Sequence, residues 1–149
     1  SLTDKQDEGI MVTKIEHIGI VVDKLEDSMK KYTSLLDLEV VEIEEINVEN
    51  VINRVAFLPV GETNIELVET TATTVLAADF LKKRGEGIHH IALEVENLNM
   101  IFEKLKTQGV EFMWDRIIDG ARGSRVAFFK AEEFNGVYIE LVEKHESAP

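Results

Sequence analysis

EHIGIVV at residues 16–22 and HHIALEV at residues 89–95 are one strand written twice, and that repeat decides the fold. His17 and His90 stand 73 residues apart. Each of these strands is answered later by IELVE, at 65–69 and 139–143, which sets Glu66 and Glu140 74 residues apart. The shift of 73 carries Ile18 onto Ile91, Val22 onto Val95 and Leu25 onto Leu98, and VAF at 55–57 recurs at 126–128. A period this far above 50 residues implies two paired modules and excludes a solenoid. Two similar modules related by a pseudo-twofold axis can bring His17, Glu66, His90 and Glu140 to one shared centre.

Working outward, Ile15 to Val22 are apolar at most positions of both alternating faces, the pattern of a strand covered on two sides. Asp23 or Asp27 is placed to cap a helix whose stripe is Leu25, Met29, Tyr32 and Leu36. Strands follow at 38–46, 52–60 and 63–69, the last two joined at Gly61-Glu62. Module one therefore runs over 14–69 as βαβββ, after a frayed extension over 1–13. Residues 70–86 are a connector with a short helix from Val75 to Lys83, closed by Gly85. Module two, over 87–143, repeats the order: a strand at 88–95, a helix at 98–108, strands at 110–115, 124–130 and 137–143, then a tail over 144–149. The fold class expected is α+β, with curved mixed sheets around a central metal site.

Two imidazoles and two carboxylates suit one divalent first-row ion such as Co, Zn, Ni or Mn, and leave open positions on it. A single Glu within a strand is ordinarily an outward polar position, and a lone His a satisfied structural one. The recurrence of all four in register is what points to ligation. Strand alternation sends His89 to the face opposite His90, which gives it a structural hydrogen-bonding role. His145 in the tail receives none.

The chain has 149 residues, 44% of them hydrophobic, which supports a sizeable core. It has no cysteine, hence no disulfide framework and no thiolate ligand. Its formal charge of −13 opposes nucleic-acid binding. No apolar run approaches the roughly 20 residues of a membrane span. A cytoplasmic location is the default expectation.

Paired βαβββ modules carrying His, Glu, His, Glu resemble the vicinal oxygen chelate superfamily, which includes glyoxalase I, extradiol dioxygenases and drug-resistance binding proteins. FLKKRGEGIHHIALEV at 80–95, AFLPVG at 56–61 and GVYIEL at 136–141 look most like its methylmalonyl-CoA epimerase branch. The resemblance spans residues 14–143 and puts the metal ligands on His17, Glu66, His90 and Glu140. It departs at Val55, where some epimerases carry a catalytic Glu, and at Ala131-Glu132, where epimerases often have Pro-Lys.

The resemblance implies a metal-dependent isomerase that removes an α proton from an acyl-CoA thioester, methylmalonyl-CoA above all, through a stabilised enolate. Glyoxalase I-type lyase chemistry and sequestration of a small drug are the alternatives. Glu140 and Glu66 are the expected acid and base, with Glu45 or Glu49 of a mobile 44–52 loop in reserve. Lys82, Lys83 and Arg84, or Arg122 and Arg125, are candidate phosphate contacts. Partners are a small-molecule substrate and a second copy of the chain in a homodimer.

Overall fold

The computed structural model describes residues 9–10, 12–70 and 77–145. One eight-stranded sheet carries the chain, in the order β2-β3-β4-β1-β5-β8-β7-β6. Its strands are β1 (Val12–Val21), β2 (Glu42–Val48), β3 (Val51–Val60), β4 (Thr63–Thr70), β5 (Gly87–Val95), β6 (Ile118–Asp119), β7 (Arg125–Phe128) and β8 (Tyr138–Glu143). The order reads the same from either edge toward the β1–β5 seam. Each module folds its last strand back in parallel beside its first, β4 on β1 and β8 on β5, and the seam itself is antiparallel. No helix among the described residues is long and apolar enough to cross a membrane.

Alternation separates the two faces of this sheet. Ala56, Leu58 and Leu67 bury one face of module one with Val22 and Leu25, against α1 (Leu25–Leu36). Ala127 and Leu141 do the same in module two with Leu98, Ile101 and Phe102 of α3 (Leu98–Thr107). The residues between them, Val55, Phe57, Glu66 and Val68 in one module and Val126, Phe128, Glu140 and Val142 in the other, line a cavity on the opposite face. Helices thus cover one side of the sheet, and the four repeated polar residues lie on the other.

The helix starts correct one expectation. Neither Asp23 nor Asp27 caps α1; Lys24 holds the cap position with no side-chain bond. The free amide of Leu25 instead donates to Glu69 of β4 (2.7 Å), and that of Leu98 donates to Glu143 of β8 (2.9 Å). These two glutamates are the last letter of each IELVE, so the repeated strand also closes the repeated helix. A carboxylate there also meets the positive end of the helix dipole. Leu36, expected in the buried stripe of α1, is 60% exposed at its end.

Two strands differ from their sequence bounds. β2 begins at Glu42, because Leu38 and Val40 pack against the α1 core before the ladder starts. The 44–52 segment is ladder on both sides of a Glu49-Asn50 turn, and no long loop lies there. No strand forms over 110–115. Phe112 makes a single bridge to Phe129, Met113 donates to Phe128 (2.8 Å), and the chain then bends away before β6. Phe112 turns into the α3 core while Met113 and Trp114 pack toward the cavity side, so that edge opens where the cavity needs a wall. Residues 1–8 and 11 of the expected extension, Val75 and Leu76 of the expected connector helix, and 146–149 of the tail lie outside the described residues. The connector helix itself is α2 (Ala77–Arg84).

Candidate metal centre

The floor of the cavity is built by two irregularities in the seam. Between Ile15 and His17 the β1 ladder advances two residues while β5 advances one, and between Gly19 and Ile20 the extra residue falls on β5. Each is a bulge, and a bulge re-aims side chains that strict alternation would separate. Glu16 and His17 therefore share a face, as do His89 and His90, and all four line the cavity. The assignment of His89 to the far face is thus overturned. Glu16 was missed, although a carboxylate in a strand apolar on both sides needs a buried partner and was the signal available.

His17 sits at the middle. Its Nε2 lies 3.1 Å from Nε2 of His90 and 3.5 Å from Oε2 of Glu140, and Oε1 of Glu140 is 3.9 Å from the same His90 nitrogen. Its Nδ1 faces Oε1 of Glu16 at 2.7 Å and Oε2 of Glu66 at 3.0 Å. The four expected residues come together, but as two groups of possible ligands that share His17: His17, His90 and Glu140 on one side, Glu16, His17 and Glu66 on the other. Glu66 meets the opposite ring nitrogen from Glu140. All five side chains are buried.

Burial and close approach set the proton affinities of His17, Glu16 and Glu140. Burial works against charge on His17, yet the Glu140 carboxylate and the hydrogen bonds to Glu16 and Glu66 outweigh it and raise its pKa to about 10. Burial also disfavours charge on Glu16, but His17 and Lys144 prevail and lower it to about 2. Glu140 is left with the least compensation: burial pushes it up to about 7, His17 opposing and the charges of Glu66 and Glu16 adding to the rise. Burial, helped by Arg84, lowers His89 to about 4, and burial with the His17 and His89 charges holds His90 well below its usual range.

These shifts predict a pH dependence for protein stripped of metal by a chelator. Folded His17 keeps its proton to about pH 10 and the unfolded side chain only to 6.5. Its contribution to stability is complete below 6.5 and is lost as pH rises toward 10. Glu140 acts in the same sense between 4.5 and about 7, and the low pKa of Glu16 matters only below 4.5. The thermal midpoint should therefore fall between pH 7 and 10, and His17→Asn should flatten that slope. A wild-type midpoint that stays level or rises over this window would contradict the assignment.

Above this floor the cavity encloses about 460 Å³, a volume suited to a small ligand, and its walls are mainly Val55, Phe57, Val68, Trp114, Val126 and Phe128. Val55 is 3% exposed and offers no acid or base. Of the reserve carboxylates, Glu49 reaches the rim and pairs with Arg116, while Glu45 pairs in register with Arg54 and does not line the cavity. Arg122 stands at the rim, its guanidinium 4.0 Å above the Phe57 ring centre and bonded to Glu42 at 2.8 Å. Arg125 is not at the cavity; it is held by Glu143 and Asn99 beside the start of α3. Lys82, Lys83 and Arg84 form the exposed last turn of α2.

The donor set fits a divalent ion. Two imidazole nitrogens and a carboxylate converge with their ligand atoms within 4.8 Å of one another, and buried carboxylates outnumber the cations beside them.

Comparison with known proteins bears on the chain as a whole. A family model described as the Glyoxalase/Bleomycin resistance protein/Dioxygenase superfamily matches residues 16–128. The chain is 33% identical over 132 residues to the uncharacterized protein YqjC of Bacillus subtilis, covering 89% of this chain and 93% of that one. It is 32% identical over 135 residues to an ethylmalonyl-CoA/methylmalonyl-CoA epimerase of Cereibacter sphaeroides, covering 88% and 98%. Among solved structures, a Streptomyces coelicolor methylmalonyl-CoA epimerase variant in complex with 2-nitronate-propionyl-CoA superimposes with a TM-score of 0.84 at 29% identity, covering 93% and 100%.

Proposed function

Because the chain belongs to the glyoxalase/bleomycin resistance protein/dioxygenase superfamily, we propose that it is an epimerase of a 2-methyl-branched acyl-CoA thioester, methylmalonyl-CoA being favoured. The observation that carries this reading is the meeting of His17, His90 and Glu140 at the buried floor of an otherwise apolar cavity. His17, His90 and Glu140 would hold one divalent ion there, of the Co, Zn, Ni or Mn type, while Glu66 stands on the Nδ1 side of His17. When bound, the ion stabilises the negative charge that builds on a carbonyl oxygen as the α proton leaves.

The chain's own groups handle the proton. An epimerase removes it from one face of a carbon and returns it to the other, which calls for two acid–base groups. Glu140 stands on the Nε2 side of His17 and Glu66 on the Nδ1 side, so the two carboxyls flank the His17 ring. In the metal-free protein burial raises the pKa of Glu140 to about 7. Val55 places no acid or base on its part of the wall. The apolar walls exclude water and favour the branched acyl end, while Arg122 at the rim is a candidate contact for the carrier's phosphates.

The test is proton NMR of methylmalonyl-CoA in D₂O with the metal-loaded protein. The α proton should wash out and a single C2 epimer should become a mixture of both. Turnover of the methylglyoxal–glutathione hemithioacetal with no α exchange would replace this reading by the lyase one.

A further inference from the structure

Each floor histidine is preceded in the chain by a buried polar residue, and both bulges turn that residue onto the same face. Glu16 is 7% exposed and His89 6%. Oε1 of Glu16 lies 2.7 Å from Nδ1 of His17, and Nδ1 of His89 lies 2.9 Å from Nδ1 of His90. The two contacts stand in the same place in the two modules, since the shift that carries His17 onto His90 carries Glu16 onto His89. On their other side the two rings meet Nε2 to Nε2 at 3.1 Å.

Donor chemistry gives these contacts a direction. Nδ1 of His17 faces two carboxylate oxygens, from Glu16 and Glu66, and an ionised carboxylate only accepts. Hence Nδ1 of His17 carries hydrogen. One hydrogen lies between the Nδ1 atoms of His89 and His90, and a neutral His90 that offers Nε2 to an ion must place its own hydrogen on Nδ1. His89 is then the acceptor. Both acceptors are held firmly. The second oxygen of Glu16 is 3.3 Å from Nζ of Lys144 and 3.4 Å from the Asn64 amide nitrogen. The His89 ring is stacked on Tyr138, with centres 4.8 Å apart and planes 14° from parallel, and meets Phe80 edge-on.

We propose that Glu16 and His89 are paired positioning residues, each accepting the Nδ1 hydrogen of the histidine that follows it, so that both floor histidines turn Nε2 toward the shared centre. The inference rests on the metal reading above and assigns what orients its two nitrogen ligands. The pair is unequal by construction: an anion backs His17 and a neutral ring backs His90. Removing Glu16 therefore weakens the ligand it serves more than removing His89 does.

The experiment loads the full chain with Zn²⁺ and reads the imidazole ¹⁵N resonances, then measures Co²⁺ affinity by chelator competition. The variants are Glu16→Gln and His89→Phe, with Glu69→Ala as a folded control that disturbs the α1 start and the Glu69–Arg54 pair. The expected spectrum has Nε2 bound to the ion and hydrogen on Nδ1 for both His17 and His90. Losing such a partner costs about 10- to 100-fold in metal affinity, and Glu16→Gln should show the larger loss. Glu69→Ala should leave affinity unchanged. A wild-type spectrum with His90 ligating through Nδ1, or variants that bind Co²⁺ as tightly as wild type, would overturn the pairing and leave the metal centre standing. Failure of the wild-type chain to bind either ion would overturn both.

Discussion

Replacing Glu140 by Gln should end exchange of the substrate's α proton with solvent while leaving the protein folded. The side chain is 5% exposed, and the amide keeps its size and one oxygen donor, so packing at the cavity floor is conserved. What is lost is the group proposed to move the proton, whose pKa burial raises to about 7 in the metal-free protein. Removing a positioned acid–base group typically costs about 10²- to 10⁴-fold in rate, and the deuterium exchange assay reads that loss directly. Thermal stability of chelated protein should hold or rise, because one of three crowded carboxyls has been neutralised; stability gained as activity is lost is a familiar trade at functional sites. Exchange at the wild-type rate with the ion still bound would remove Glu140 from the mechanism.

The second large effect requires no change to any ligand. Gly19 pairs with His90 across the seam, and the imidazole lies directly against its Cα. A methyl group built there would stand 2.1 Å from Cε1 and 2.3 Å from Nε2 of His90, far inside van der Waals contact. The backbone of Gly19 accepts alanine, so the ring must be the part that yields. Gly19→Ala should therefore fold, swing His90 off the centre and lower turnover by about 100-fold or more, the scale on which a misplacement of about 1 Å acts. Added to His90→Ala it should change little further, since both substitutions disable the same ring. Wild-type Co²⁺ affinity and turnover in Gly19→Ala would show that the ring has room elsewhere. At the position related by the repeat the chain has Ala92, opposite His17, so only one of the two histidines makes this demand.

Much of this centre was legible because duplication writes itself into spacing. His17, Glu66, His90 and Glu140 could be picked out by recurrence alone, and the structure sets both glutamates on the face away from the helices. The bulges could not be read. Alternation assigns Glu16 and His89 to the wrong side because it assumes one residue of β1 for each residue of β5, and the slip between Ile15 and His17 is a property of the pairing. The lost strand at 110–115 failed for a related reason: alternating Phe112 and Trp114 satisfied the pattern, but only Phe112 found a ladder partner. Arg125 looked like a free cation until Glu143 and Asn99 were seen to hold it. That both helices would be closed by a glutamate from a distant strand was hidden as well, since the capping rules look only at neighbouring residues.

The mirrored strand order has a consequence for origins. His17 comes from the first half and His90 and Glu140 from the second, so neither half supplies this group of ligands alone. A half-length ancestor of this chain would have had to assemble with a twin of itself before that group could form. Fusing the twins freed the copies to diverge, and the unlike residues just ahead of the two histidines, one acidic and one aromatic, are where that divergence reached the chemistry.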